Sequence, residues 1–256
     1  MKVMTFNLRV HVESDGVNAW PHRYHAAAQA ILAHGADIVC TQEGRLPMLR
    51  DLEGLLPDYA WVGIGRLGGE DDEYCAVFYN KTKLRAVEEG HFGLSEHPEQ
   101  LGYMSWNTAC PRMCTWVRLQ AANGEEWMVF NTHLDHISEE AQLKGMELIR
   151  SRMAAILSSA GLPSILTGDF NVGPDHPVIH ELDKAGYVNA FSILPGGAQG
   201  VDATFHDFKG GLTGETIDYI YVTPGVTVEH VEVDRGQYDN RYPSDHYPVI
   251  ASITRH

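Results

Sequence analysis

From Lys2 to Val10 apolar and polar side chains alternate, with Val3, Thr5 and Asn7 on one side and Met4, Phe6 and Leu8 on the other, a period of two that predicts a strand. Pro21 opens an alanine-rich helical stretch to His34 that Gly35 stops, and Asp37 to Gln42 predicts the next strand, with Glu43 at its end. The pattern is a strand-helix-strand unit. A short helix follows around Leu46 to Leu56. Strand-like runs come next at Ala60 to Arg66, Tyr74 to Tyr79, Leu84 to Leu94, Thr115 to Ala121 and Trp127 to Thr132. Turn formers such as Asn80 and the pair Asn123-Gly124 join most of them, which predicts antiparallel neighbours.

The longest predicted helix runs from Ser138 to Ser159, with Ser138 as N-cap, Glu139 and Glu140 in its first turn and Gly161 beyond its end. After it come a strand at Ser164 to Thr167, a helix from about Pro177 to Ala185, and strands at Thr216 to Val222, Thr227 to Val233 and Tyr247 to Ile253. Strands clustered in this way, with helices inserted among them, predict an α/β (α+β) fold of two packed, mostly antiparallel sheets flanked by helices. Residues 1–256 carry no linker, low-complexity tract or short repeat, so a single domain is expected.

Polar residues gather where the strands end. In Ile165-Leu166-Thr167-Gly168-Asp169-Phe170-Asn171 a glycine lets Asp169 and Asn171 crowd into a site, the carboxylate to hold a water and the amide to donate to a phosphate oxygen. Asp245-His246, with Asp218 available from a preceding strand, suits an Asp218-His246 dyad that orients the imidazole. The strand ending Asn131-Thr132-His133 delivers His133 and Asp135 on one face, with His136 directly after. Glu43 suits a hard divalent cation, Asn7 supplying a neutral oxygen nearby.

Phe6-Asn7, Gln42-Glu43, Thr132-His133-Leu134, Gly168-Asp169-Phe170-Asn171, Ile217-Asp218-Tyr219-Ile220 and Ser244-Asp245-His246-Tyr247-Pro248-Val249 occur in an order that resembles the endonuclease/exonuclease/phosphatase superfamily. The resemblance implies a four-layer α/β/β/α sandwich and a divalent-metal-dependent phosphodiesterase, nuclease or phosphatase, with Mg2+ or Mn2+ as cofactor. It implies Asn7, Glu43 and Asp245 as metal-site residues, and His133 and Asn171 as contacts of the scissile phosphate. Asp169 and His246, the latter steadied by Asp218, divide the roles of base and phosphate contact between them, and the sequence leaves that division open. Trp20-Pro21-His22-Arg23 and Ala109 to Trp116 resemble a small bacterial subgroup of uncertain substrate. Arg112 is either a phosphate ligand or an arginine packed between strands, and Asp135 and His136 join it as substrate-binding candidates.

With 19 basic and 34 acidic residues the formal charge is −15, which repels a polyanion at long range and makes long duplex DNA a poor substrate. A small or short phosphate ester is expected instead. The sequence enters a strand at once, leaving no signal segment, and no apolar run spans a membrane; a cytoplasmic protein without membrane insertion is expected. The four cysteines read as reduced thiols. Two rival readings remain: a zinc-dependent metallo-β-lactamase-like hydrolase, which His133-Leu134-Asp135-His136 nearly spells but for Asn131 in place of the first histidine, and a catalytically silent binding protein on the same scaffold.

Overall fold

Gly35 takes the left-handed conformation (φ 55°) at the end of the first helix, so the strand-helix-strand unit closes where its sequence pattern says it should. The computed structural model describes residues 1–158 and 161–255; Ser159, expected to end the longest helix, lies outside the described residues. Strands in chain order are β1 (Lys2–Asn7), β2 (Ile38–Gln42), β3 (Gly44–Arg45), β4 (Tyr59–Val62), β5 (Glu73–Tyr74), β6 (Val77–Asn80) and β7 (Leu84–Gly93). They continue with β8 (Met113–Ala121), β9 (Glu126–His133), β10 (Ser164–Asp169), β11 (Val188–Asn189), β12 (Asp218–Val222), β13 (Val226–Val233) and β14 (Val249–Arg255). The helices are α1 (Trp20–His34), α2 (Leu46–Leu55), α3 (Glu139–Ser158) and α4 (Pro177–Lys184).

Two six-stranded sheets result, ordered β13-β14-β1-β2-β6-β4 and β11-β12-β10-β9-β8-β7, with a small β3-β5 ribbon beside them. Each large sheet has one parallel pair among antiparallel neighbours: β1 with β2, and β9 with β10. A helix crossover joins each parallel pair, α1 in the first sheet and α3 in the second. Period-two alternation sorts the core into layers. In β1, Val3 faces the space between the sheets with Ile38, Val117 and Val129, while Met4 and Phe6 turn outward against Ala27 and Ile31 of α1 and Leu49 and Leu52 of α2.

Three local expectations change. The run from Tyr74 to Tyr79 is two strands, because the chain breaks at Cys75-Ala76 to pass from the β3-β5 ribbon into the first sheet. The Asn80 turn, closed by Thr82 N–H donating to its Oδ1 (3.0 Å), carries the chain from one sheet to the other and makes no hairpin. Lys2 to Val10 ends as a strand at Asn7, since Arg9 adopts a positive φ of 54°. The Asn123-Gly124 hairpin forms between β8 and β9, with Gly124 at φ 87°. Ser138 caps α3, its Oγ accepting from Ala141 N–H at 3.2 Å.

Candidate active site

Strand register assembles the site. Across three neighbouring strand ends His133 of β9 pairs with Asp169 of β10, and Asp169 pairs with Asp218 of β12. In the facing sheet Asn7 ends β1 beside Gln42 of β2, which places Glu43 next. Gly168 is required at this junction, because a Cβ there would lie 2.1 Å from the carbonyl oxygen of Thr132 on β9. A buried polar bridge ties the sheets together beneath the site: Gln42 Nε2 donates to Asn131 Oδ1 (2.7 Å), and Asn131 Nδ2 donates to the carbonyls of Thr41 (2.8 Å) and Ala76 (3.0 Å).

Asp169 is the hub. Its Oδ2 accepts from Asn7 Nδ2 at 2.9 Å and lies 3.5 Å from His133 Nε2 and 3.7 Å from His246 Nε2, while Oδ1 accepts the Asn171 N–H at 2.9 Å. The expected Asp218-His246 dyad is present, Nδ1 to Oδ2 at 2.9 Å with both side chains buried. Glu43 Oε1 accepts from Asn7 Nδ2 and Oε2 from Val10 N–H, each at 2.8 Å. Glu43 and Asn171 sit at positive φ (63° and 54°), which costs on the order of 1 kcal/mol or more each and is held in place by those hydrogen bonds.

Burial and then the Asp218 charge push the Asp169 carboxyl up to about 7. Burial alone would drive His246 down, but the charge and hydrogen bond of Asp218 outweigh it and raise the imidazole to about 10. Burial, reinforced by the Arg112 and His246 charges, holds His133 well below the ordinary imidazole value, so it is neutral. Burial raises Asp245, and the nearby Glu43 carboxylate adds to the rise. Burial opposes ionisation of Glu43 too, yet the donors Val10 and Asn7 hold it below the usual range.

These groups open onto a cavity of about 460 Å³ that Glu43, His133, Asp169, Asn171, Asp245 and His246 line together with Arg112 and His136. Ligand atoms of Glu43, His133 and Asp169 lie within 4.8 Å of one another, as do those of Asp169, Asp218 and His246. Hard carboxylate oxygens converge here; burial chiefly, and the Glu43 charge in addition, oppose ionisation of Asp245, and a divalent cation would offset both, so the donor set fits such an ion.

Asn7 Oδ1 accepts the Arg9 N–H at 2.9 Å, and its amide donates to Glu43 and Asp169, supplying a donor between two adjacent carboxylates. One expectation needs correction: Asp135 does not face the cavity. Its oxygens accept from Thr108 Oγ1 (2.7 Å), Ala109 N–H (2.8 Å), Ile137 N–H (3.0 Å) and Ser138 N–H (2.7 Å), which fixes the loops around the start of α3. With Asp135 so occupied and Asn131 buried between the sheets, the zinc set of the metallo-β-lactamase-like reading does not form. Cys110 comes near Asp135 and His136, but the Arg66 guanidinium 3.6 Å from its sulfur makes that group inhospitable to a cation.

Arg9, Arg66, Glu73 and Phe205 also line the cavity and were not singled out from the sequence: Arg9, Arg66 and Phe205 stand outside the strands, and Glu73 opens the two-residue β5, too short for a period to mark. Arg9 had a signal, standing two residues beyond Asn7, and so had Arg66, at the end of the strand-like run from Ala60. Arg23, within the Trp20 to Arg23 motif, is fully buried and donates to the carbonyls of Asn18 (2.7 Å), Leu8 (2.6 Å), Arg9 (2.6 Å) and Pro243 (2.9 Å). It thereby ties the exit of β1 to the segment that carries Asp245 and His246.

A model of the endonuclease/exonuclease/phosphatase family matches residues 4–246. The structure is similar to a mannosyl-6-phosphatase of Bacteroides thetaiotaomicron VPI-5482, with a TM-score of 0.92 and 32% identity over 99% of each chain. It is likewise similar to a functionally unknown conserved protein of Enterococcus faecalis V583, with a TM-score of 0.90 and 32% identity over 100% of each chain. In sequence it is 24% identical to Protein angel of Drosophila melanogaster over 265 residues, 92% of this chain and 72% of that protein.

Proposed function

The chain belongs to the endonuclease/exonuclease/phosphatase family and is a divalent-metal-dependent phosphoric ester hydrolase, and from that premise we propose how its residues divide the reaction. The observation that carries the reading is the strand register that aligns His133, Asp169 and Asp218, with His246 hydrogen-bonded to Asp218, beside a cavity that Glu43, His133, Asp169 and His246 line.

Magnesium or manganese is the proposed ion, held by Glu43 and Asp245 with Asn7 bracing Glu43. When bound, it neutralises charge on the phosphoryl oxygens. Asp169 takes the proton of the attacking water: its carboxylate faces the cavity, braced by Asn7 and the Asn171 N–H. His246 has its Nδ1 committed to Asp218 and serves as a cationic Nε2–H donor to the phosphoryl group, stabilising charge as phosphorus is attacked. Neutral His133 and the remaining amide N–H of Asn171, whose other bond goes to Leu134 O at 3.0 Å, are further donors.

A small phosphate ester fits the roughly 460 Å³ cavity, and the net charge of −15 disfavours long duplex DNA. Because the Bacteroides relative is a mannosyl-6-phosphatase, sugar phosphates are the first substrates to try. Among the described residues no helix is long and apolar enough to cross a membrane, and four free thiols suit a reducing compartment, so a cytoplasmic location belongs to the same proposal. Asp169→Asn and His246→Ala are each expected to lower turnover by about 10²- to 10⁴-fold with circular dichroism unchanged. Near-native turnover in either folded variant at saturating magnesium would sink the assignment.

A further inference from the structure

Three arginines line the cavity, and two of them are neutralised within the protein. Arg9 makes a bidentate pair with Asp15 (3.0 and 3.1 Å), and Arg66 binds Asp72 (3.0 Å) and both oxygens of Glu73 (2.9 and 3.1 Å). Arg112 differs. Its side chain belongs to a residue only 8% exposed, yet among the described residues no carboxylate pairs with it. Its Nη2 donates to His136 Nδ1 at 3.1 Å, and its Nε–H is buried and makes no hydrogen bond among the described residues. A buried cation without an ion pair and a buried donor without an acceptor both destabilise the folded state. On the wall of a phosphoester site, an anionic ligand would supply both partners.

The other groups narrow which anion. His133 is neutral and contributes only a hydrogen bond, and the charge of His246 is already matched by Asp218. Arg112 is therefore the one arginine at the cavity that makes no ion pair among the described residues; a carboxylate that feels its charge, Glu73, is bonded to Arg66. A phosphodiester carries one negative charge, whereas a phosphomonoester approaches two near neutral pH, its second ionisation lying near 6. The guanidinium fork, with five donors in a fixed plane, suits two oxygens of a terminal phosphate.

Resting on the phosphoester-hydrolase reading above, we propose that this cavity is a phosphomonoester site in which Arg112, oriented by His136, binds the terminal phosphate dianion and sets the preference for monoesters over diesters. His136 is a positioning residue, orienting the guanidinium on the cavity wall through its contact with Nη2.

The test compares the native protein with Arg112→Met and Arg112→Lys on p-nitrophenyl phosphate, mannose 6-phosphate and bis-p-nitrophenyl phosphate in saturating magnesium. Calorimetric binding of inorganic phosphate to the metal-stripped proteins runs in parallel. The native protein is expected to favour the monoesters at least 100-fold in kcat/KM. Arg112→Met should lose at least 100-fold on the monoesters, less than tenfold on the diester, and at least tenfold in phosphate affinity. Arg112→Lys, which keeps the charge and loses the fork, should fall between and serves if the methionine variant does not fold. A native preference for the diester, or equal losses on both ester types, would overturn the proposal. Absence of turnover on every ester would instead strike the hydrolase reading; phosphate binding then decides Arg112 alone, and equal affinity in native and variant proteins would reject its role.

Discussion

Replacing Asp218 with asparagine removes one charge from beneath His246 while preserving the shape of a side chain that is 1% exposed. The imidazole rises from 6.5 to about 10 in the folded protein. At about 1.4 kcal/mol per pH unit that rise corresponds to roughly 5 kcal/mol of preference for the charged form. Asp218 supplies the largest part, at 2.9 Å, and Asp169 and Asp245 supply the rest. Breaking a buried pair costs about 3–5 kcal/mol, which agrees with that ceiling. The folded value lies above the unfolded one, so this stabilisation is complete below pH ~6.5 and is lost as pH climbs towards about 10. Urea unfolding of metal-chelated native protein and Asp218→Asn should therefore differ by about 3–5 kcal/mol at pH 6, with the gap closing by pH 10. Turnover of the variant should fall about 10²- to 10⁴-fold. A gap below about 1 kcal/mol at pH 6, or one that does not narrow with rising pH, would refute the ion-pair reasoning.

Two further perturbations probe the scaffold that aligns the site. Gly168→Ala puts a methyl group 2.1 Å from Thr132 O, so the strands must part where His133 and Asp169 meet; a loss of about 1–3 kcal/mol in unfolding free energy and a more than tenfold loss of turnover are expected, and a fully active, equally stable variant would show that the junction yields. Arg23→Met strips four backbone carbonyls of their donor. At about 1–3 kcal/mol for each acceptor left buried and unpaired, a loss of at least ~3 kcal/mol is expected in urea unfolding, and unfolding that matches the native protein would mean that water replaces the guanidinium.

Much of the site was legible because strand alternation stops where the chemistry begins. Gly168-Asp169, His133 and Glu43 each follow an apolar run, and the register of β9, β10 and β12 brings their ends together as the order of motifs implied. Pairing partners were less legible. Asn80 looks the same in a hairpin and in a crossover between sheets, since the turn is local and the partner strand is chosen by the core. Asp135 shows the limit at the level of one side chain. Period two predicted a shared face with His133, but the strand ends at His133, and four backbone and hydroxyl donors draw the carboxylate into the loops. Arg66, expected at the end of a strand, lies beyond β4, which stops at Val62, and Glu73 opens the two-residue β5; tertiary packing, not a sequence period, brings both to the cavity.

The most direct test of metal-dependent phosphoester hydrolysis is to strip the protein with a chelator, restore magnesium, manganese or zinc separately, and follow a chromogenic phosphomonoester and phosphodiester beside His246→Ala. Turnover of at least one ester that returns with magnesium or manganese and is lost in the variant is the expected result. Turnover that returns with zinc alone, that survives chelation, or that persists in His246→Ala would contradict it.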